Sequence, residues 1–289
     1  MIRHLRVTVL VDNNASPPLA AEHGLALWIE ADGVRILLDT GQGPALSANA
    51  AALGVPLRTV QHIVLSHGHY DHTGGVAAVL ELAPHANLYL HPDALRPRYS
   101  RQAAPPHRSI GIPEPAASLI RSRGGTIWTK APTAIADGVV ATGQIPRLNA
   151  FEQASEHFFL DNACISPDPL LDDQALFIDT PRGIVLLLGC AHSGVINTCE
   201  YVRALTAKTI RAIIGGMHLL NADERRLDAT LHTLRQLSPE VIAPSHCTGE
   251  QAVGLMKEAL PEAFRHCSAG CSYEQLDQSS CGWGPRQAP

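Results

Sequence analysis

Three histidines and one aspartate lie within six consecutive positions, directly after the apolar run of residues 63–65. Neutral imidazole and carboxylate groups are ligands for zinc, iron and manganese. In an extended stretch His67, His69 and Asp71 share one face, whereas His72 points to the other. Helix-like spacing of the apolar residues that follow predicts a turn at Asp71 and His72, which would direct His72 towards a second ion. Solvated surface histidines are the alternative, but this spacing favours a metal site.

The motif from His67 to His72 resembles the HxHxDH signature of the metallo-β-lactamase superfamily, which includes lactamases, glyoxalase II, lactonases and phosphodiesterases. The Asp-Thr-Gly that begins at Asp39 is similar to a superfamily feature in which the aspartate lies beneath the metal-binding loop. Other stretches resemble the branch named for a dihydropterin–ribofuranosylaminobenzene phosphate synthase, most of whose bacterial members are called metallo-hydrolases. These stretches are residues 21–24, 172–176, 189–198, 215–219 and 245–249.

The resemblance implies an α/β fold, a four-layered αββα sandwich in a single domain. A chain of 289 residues with 45% hydrophobic content can bury the large core that this fold needs. We expect the domain to span residues 1–270, with lid-like loops inserted at residues 95–150 and a frayed tail at residues 271–289. Predicted helices cover residues 76–82, 198–205 and 223–237.

Four histidines follow strand-like apolar runs. They are His67, His192, His218 and His246. Ligands gather at the carboxyl ends of strands in sheets that helices cover, so these side chains are expected to face one cleft. Any one of them alone is as easily a packed or surface histidine, but four with the same placement weaken that alternative.

Six candidate ligands are too many for one tetrahedral ion and therefore favour two ions. The six are His67, His69, Asp71, His72, His192 and His246. Many superfamily members carry a third histidine ligand near residues 145–152, where this chain has none, so that role passes to His192. The resemblance then implies a bridging water or hydroxide as nucleophile and two divalent ions, with zinc expected and manganese or iron as alternatives. The first ion takes His67, His69 and His192, and the second takes Asp71, His72 and His246.

The charge of this centre favours a small anionic substrate. Two divalent ions keep a positive charge after Asp71 and a bridging hydroxide are counted, and most relatives place a further bridging aspartate near Cys190. Cys190 is either a bridging thiolate or a small buried residue at a strand end, and we prefer the second interpretation.

Three further residues are candidates for substrate contacts. His218 could ligate, orient the substrate or act as a general acid; we place it in the pocket, outside the two ion-binding groups, and expect it to be catalytic together with Asp71. Glu22 and His23 precede a strand-like run and either reach the cleft or form a capped turn.

Residues 96–108 contain four arginines among several prolines. The prolines exclude a long helix, so the segment is expected to form a loop over the site, with guanidinium groups that pair with phosphate or carboxylate. A solvated surface loop is the alternative. The arginines are Arg96, Arg98, Arg101 and Arg108.

Composition limits the partners and the location. The net charge of −5 and the absence of a basic run argue against a nucleic-acid surface. The sequence offers neither a signal peptide nor a membrane span, which predicts a cytoplasmic protein, and seven dispersed cysteines suit reduced thiols. The oligomeric state stays open, with a homodimer as one option.

Three functions fit these features. The leading one is a dinuclear metal-dependent hydrolase that acts on a small anionic ester, phosphodiester or lactone. The second is a dihydropterin-methyl transferase that uses the metals as Lewis acids. The third is an iron-dependent oxidation like that of the sulfur dioxygenases of this fold.

Overall fold

The architecture is that of two β-sheets packed face to face, with helices on both outer faces. The structure, a computed structural model, describes residues 1–153, 157–275 and 281–285. One apolar core lies between the sheets, and one more lies between each sheet and the helices that cover it. This arrangement confirms the predicted αββα sandwich.

In the described part of the chain, the strands fall into a first sheet of eight, a second sheet of six and a small sheet of three. They are β1 (Leu5–Val11), β2 (Ala26–Ala31), β3 (Val34–Leu38), β4 (His62–Val64), β5 (Asn87–Leu90), β6 (Tyr99–Ser100), β7 (Arg108–Ser109), β8 (Thr126–Trp128), β9 (Thr133–Ala136), β10 (Val139–Ala141), β11 (Phe158–Phe159), β12 (Ala175–Thr180), β13 (Gly183–Leu188), β14 (Ile210–Gly216), β15 (Val241–Ser245), β16 (Cys271–Gln275) and β17 (Cys281–Pro285).

The helices include the three that the sequence predicts, each within three residues of its expected ends. α1, α3 and α4 contribute to the core outside the first sheet, whereas α5, α6 and α7 contribute to the core outside the second. The helices are α1 (Pro44–Ala52), α2 (Tyr70–Thr73), α3 (Val76–Leu82), α4 (Glu114–Ser122), α5 (Val195–Thr206), α6 (Glu224–Leu237) and α7 (Glu250–Ala259).

The strand order brings the ends of the ligand-bearing strands together. The first sheet has the order β17-β16-β1-β2-β3-β4-β5-β8, and the second β15-β14-β13-β12-β10-β9. Strands β13, β14 and β15 are parallel neighbours, and β4 lies between parallel neighbours in the first sheet. Every residue of β13 is buried, as expected for a strand covered on both faces. The carboxyl ends of these strands therefore form one rim of the sandwich.

Two expected boundaries are wrong. Within residues 95–150, β8 belongs to the first sheet and β9 and β10 belong to the second, so these strands are part of the sandwich and not of an inserted lid. The tail does not begin at residue 271, because β16 pairs with β1 and the side chains of Cys267 and Cys271 are buried. Both segments supply hydrogen bonds that complete the sheets. None of the helices in the described residues is long and apolar enough to span a lipid bilayer.

Candidate metal centre

The first ligand group consists of three imidazoles from two sheets. The loop after β4 carries His67 and His69, and the loop after β13 carries His192. His67 Nε2 lies 2.9 Å from His69 Nδ1 and 3.2 Å from His192 Nε2. A zinc ion about 2.0–2.1 Å from each ligand in tetrahedral geometry would hold them about 3.3 Å apart, so the three nitrogens fit one ion.

Hydrogen bonding directs the proton of His67 away from this group. The Ser66 hydroxyl donates to Asp39 Oδ2 at 2.6 Å, so its oxygen accepts from His67 Nδ1 at 2.9 Å and leaves His67 Nε2 without a proton. Burial lowers the pKa of His67, His69 and His192 well below the ordinary value, and neighbouring positive charges lower it further. All three imidazoles are therefore neutral, as metal ligands must be.

The second ligand group combines a carboxylate with imidazoles. Asp71 Oδ2 lies 3.4 Å from His246 Nε2, 3.8 Å from His72 Nε2 and 3.2 Å from His23 Nε2. The His72 and His246 Nε2 atoms are 3.2 Å apart. Both rings turn their other nitrogen outwards, because His72 Nδ1 donates to Asp39 at 2.7 Å and His246 Nδ1 donates to Asn13 Oδ1 at 2.9 Å. Asp71, His72 and His246 thus fit a second ion.

The second group attracts positive charge. Burial alone would raise the pKa of Asp71, but the charge of His72 and the contacts with His23 and His246 hold it well below the ordinary value. Burial would likewise lower the pKa of His72, yet Asp39 and Asp71 raise it to about 9. The negative charges of two carboxylates thus dominate this half of the site.

The turn that separates the two groups begins one residue earlier than predicted. α2 starts at Tyr70, so Asp71 leaves the face that His67 and His69 share. Gly68 makes the close packing of this loop possible, because a Cβ there would collide with Ala94 O and with the Arg98 guanidinium.

Asp39 links the two groups from below, in the position that the resemblance implies. One carboxylate oxygen accepts from both Ser66 Oγ and His72 Nδ1, and the other accepts from the Ser66 backbone N–H at 2.7 Å. It therefore orients His72 directly and His67 through the serine.

Asp39→Asn should lower the affinity for divalent ions about 10–100-fold, because outer-shell partners of metal-binding histidines have effects of that size. Competition with a chelating dye measures the affinity. Asp179→Asn is the matched control. Asp179 is a partly exposed residue of β12 that pairs with Lys208, so this variant should bind metal with the native affinity. Equal affinities in the two variants would mean that Asp39 does not orient the ligands.

Cys190 lies at a strand end and is buried, but it is more than a small packing residue. Its Sγ atom is 3.1 Å from His72 Nε2 and belongs to a possible ligand group with His67 and His72. The thiol is thus a small buried residue at a strand end, as the preferred interpretation had it, and in addition its Sγ atom faces the candidate ligands.

The adjacent residues Glu22 and His23, which were also predicted site residues, have different roles. His23 reaches the centre through Asp71, as described above. Glu22 does not, because its carboxylate accepts from the backbone N–H groups of Gln42 and Ala45 at 2.7 and 3.1 Å and caps the start of α1. Glu22 therefore forms the capped turn, and the adjacent His23 reaches the cleft.

The predicted arginine lid is largely wrong. Arg98 is fully buried and donates to Asp168 and Asp172 at 2.6 Å each, so it cannot meet a substrate. Arg96 lies beside Asp93, and Arg101 packs its guanidinium over Phe159; neither lines the cleft. Of these four arginines, Arg108 alone lines the cleft, where it donates to the Tyr70 hydroxyl at 2.7 Å.

Arg226 is a cleft residue that the sequence analysis missed. It lies on α6, outside every recognised motif, and its buried Nε has no hydrogen-bond partner among the described residues. Burial lowers the pKa of this guanidinium, as expected for a charge without a full set of partners. The pattern of α6 indicates which of its residues face the core, but it does not identify an arginine that reaches the cleft.

The ligand groups form the floor of a cleft of about 480 Å³. Phe158 from the small sheet, Ile110 and Leu220 provide apolar walls, and Arg108 and Arg226 provide positive charge. The size and mixed lining suit a small molecule with an anionic group.

His218 and Cys247 complete the wall next to the metal ligands. The ring centroids of His218 and His192 are 4.2 Å apart, and His218 lines the cleft; that it lies outside the two ion-binding groups stays a prediction. Cys247 was missed, although it directly follows His246 in a recognised stretch.

The chain is similar to several known proteins. A model described as the metallo-beta-lactamase superfamily matches residues 20–246. A 7,8-dihydropterin-6-methyl-4-(beta-D-ribofuranosyl)-aminobenzene-5'-phosphate synthase of Methanocaldococcus jannaschii is 26% identical over 284 residues, which cover 93% of this chain and 96% of that protein. An uncharacterized protein of the same organism is 31% identical over 261 residues, which cover 90% and 97%.

A solved structure is also similar over nearly the whole chain. It is the crystal structure of a metal-dependent hydrolase of the beta-lactamase superfamily, with a TM-score of 0.80 and 26% sequence identity, and the match covers 93% of this chain and 98% of that one. From the matched family model and the shared fold, the chain belongs to the metallo-β-lactamase superfamily.

Proposed function

We propose that the protein is a dinuclear metal-dependent hydrolase that acts on a small anionic ester, phosphodiester or lactone. One observation carries the proposal: two groups of three ligand atoms lie side by side at the floor of a cleft that holds two arginines. Neutral imidazoles make one group and a carboxylate with imidazoles makes the other, and both fit zinc or manganese.

Two divalent ions held there would supply a solvent nucleophile at neutral pH and a Lewis acid for the leaving oxygen. The chain's own residues prepare the site for them. Asp39 and Asn13 hold the protons of His72 and His246 on the outer nitrogens, so that the inner nitrogens can ligate. Burial of the ligand imidazoles lowers the effective dielectric around them, which strengthens electrostatic contacts at the floor of the cleft.

The cleft arginines support an anionic substrate. Arg226 presents a partly buried guanidinium whose Nε has no hydrogen-bond partner among the described residues, and Arg108 is held in place across the Tyr70 ring with its charge centre 4.8 Å from the ring centroid. A planar guanidinium can bind phosphate or carboxylate through two parallel hydrogen bonds.

A screen of metal-depleted and metal-reconstituted protein tests the proposal. Phosphodiesters, lactones and carboxylate esters should be hydrolysed only after zinc or manganese is restored, with isotopically labelled oxygen from solvent water appearing in the product. Metal analysis after purification without added metal identifies the native ion. Reconstituted protein that binds both ions but hydrolyses none of these classes would contradict the proposal.

Group transfer is a second candidate function, and the similarity to a dihydropterin-methyl ribofuranosylaminobenzene phosphate synthase over 93% of this chain favours it. In that case the carbon–oxygen bond between the methyl carbon of a dihydropterin and a phosphate-type leaving group breaks as that carbon bonds to the second substrate, and no oxygen from water enters the joined product. The same labelled-water experiment, with a pterin phosphate and a ribofuranosylaminobenzene phosphate supplied together, therefore separates transfer from hydrolysis.

Replacing Arg226 and Arg108 with glutamine should raise KM for a phosphodiester at least about tenfold, because a hydrogen bond to a charged group contributes about 1.5–3 kcal/mol. A neutral ester hydrolysed at the same metals should keep its KM. Arg101→Gln is the control, since Arg101 lies near the cleft but does not line it. Equal KM increases for the charged and the neutral substrate would show that the arginines shape the cleft and do not bind the anion.

A further inference from the structure

Three potential metal ligands outside the six already assigned occupy equivalent positions on adjacent strands. Cys190 lies two residues after the end of β13, His218 two residues after the end of β14, and Cys247 two residues after the end of β15. Because β13, β14 and β15 are parallel neighbours in that order, equivalent positions after their ends lie side by side on one rim.

The three side chains also converge in space. One ligand atom from each lies within 4.8 Å of the other two. The Cys247 thiol donates to the Cys190 backbone oxygen at a distance of 3.5 Å. The backbone of His218 has a φ of 49°, in the left-handed region that non-glycine residues seldom adopt. The chain thus adopts an unfavourable conformation at the residue that completes the group.

Gly216 provides the space that this convergence requires. A Cβ at position 216 would lie 2.8 Å from Cys247 Sγ and would also collide with the Gly189 carbonyl oxygen. Any larger residue would therefore push Cys247 away from Cys190.

Two further features indicate that the group is not saturated by protein contacts. The buried Nδ1 atom of His218 has no hydrogen-bond partner among the described residues. Cys190 and Cys247 are both free thiols, and Cys247 lines the cleft, so an ion can reach the group from solvent.

We propose that Cys190, His218 and Cys247 form a third metal-binding site, which takes a thiophilic divalent cation such as zinc or cadmium. Two thiolates and one imidazole are ligands that this class of cation prefers, and the fourth position faces the cleft. The two thiolates together balance the charge of the ion, so the site adds no net charge next to the histidine and carboxylate groups.

The third site is connected to the second ligand group through Cys190. Its Sγ atom is 3.1 Å from His72 Nε2, so one thiolate can contact both the third ion and the neighbouring ion. The inference does not depend on the substrate or on whether the enzyme catalyses hydrolysis or transfer.

Cobalt binding to the full chain tests the proposal. After removal of metal with a chelator, the native protein should bind three cobalt ions per chain and show an intense sulfur-to-cobalt charge-transfer band in the near ultraviolet. Cys247→Ser should bind one ion fewer and show a weaker band. His218→Gln keeps both thiols and should also bind one ion fewer, which provides a second variant if Cys247→Ser does not fold.

Cys199→Ser is the matched control. Cys199 is a buried thiol on α5, outside the proposed site, and this variant should bind three ions with the band of the native protein. Native stoichiometry and an unchanged band in both Cys247→Ser and His218→Gln would overturn the third site. Asp71→Asn tests the second ligand group separately: this variant should lose one ion and keep the sulfur-to-cobalt band. The third site and the dinuclear centre can therefore be refuted independently.

Discussion

Replacing Asp71 with asparagine should remove one bound divalent ion per chain and lower kcat/KM about a thousandfold, since metal ions contribute several kcal/mol of transition-state stabilisation and each 1.4 kcal/mol is about tenfold. Asp71 is the carboxylate around which His23, His72 and His246 converge. Asparagine keeps the volume but removes the negative charge, so the remaining imidazoles lose the partner that offsets the charge of the ion.

Metal content by mass spectrometry and the rate on a phosphodiester provide the two measurements. Asp93→Asn is a suitable control. The Asp93 carboxylate is partly exposed and pairs with Arg96, and it belongs to neither candidate ligand group. Native metal content in Asp71→Asn would show that the second group does not bind an ion. Native content in the control together with loss in Asp71→Asn is the expected result.

Arg98→Met should lower the free energy of unfolding by about 3–5 kcal/mol, the usual effect of removing one partner from a buried ion pair. The variant would leave Asp168 and Asp172 buried without their cation, and Asp172 also accepts the backbone N–H of Gly68 in the metal-binding loop at 2.7 Å. At about 2–4 °C per kcal/mol, the melting temperature should fall by roughly 6–20 °C.

Arg96→Met is the matched control for this prediction. Arg96 lies two residues away with 46% of its side chain exposed, and its 3.6 Å contact with Asp93 should change stability by less than about 0.5 kcal/mol. Thermal unfolding of metal-depleted protein measures both variants without a contribution from bound ions. An unchanged melting temperature for Arg98→Met, with a raised KM for anionic substrates, would instead support a direct role of Arg98 in substrate binding.

The predicted metal ligands and the actual positions of the arginines show where sequence patterns stop being informative. His67, His69, Asp71 and His72 could be selected from the sequence because their spacing is local and the apolar run before them predicts a strand end. His192 and His246 could be selected because each also follows an apolar run. In a parallel sheet, residues that directly follow the carboxyl ends of the strands lie on one rim, whatever the order of the strands.

Local spacing and apolar runs thus predict the candidate ligand types and their location at strand ends, whereas the αββα layering was expected from the resemblance to the superfamily. The tertiary structure alone decided which long side chains enter the cleft. Arg98 is buried because Asp168 and Asp172, 70 and 74 residues away, lie beside it, and no local pattern records such partners. Cys190 and Cys247 meet for the same reason, because their distance depends on the order and register of β13, β14 and β15.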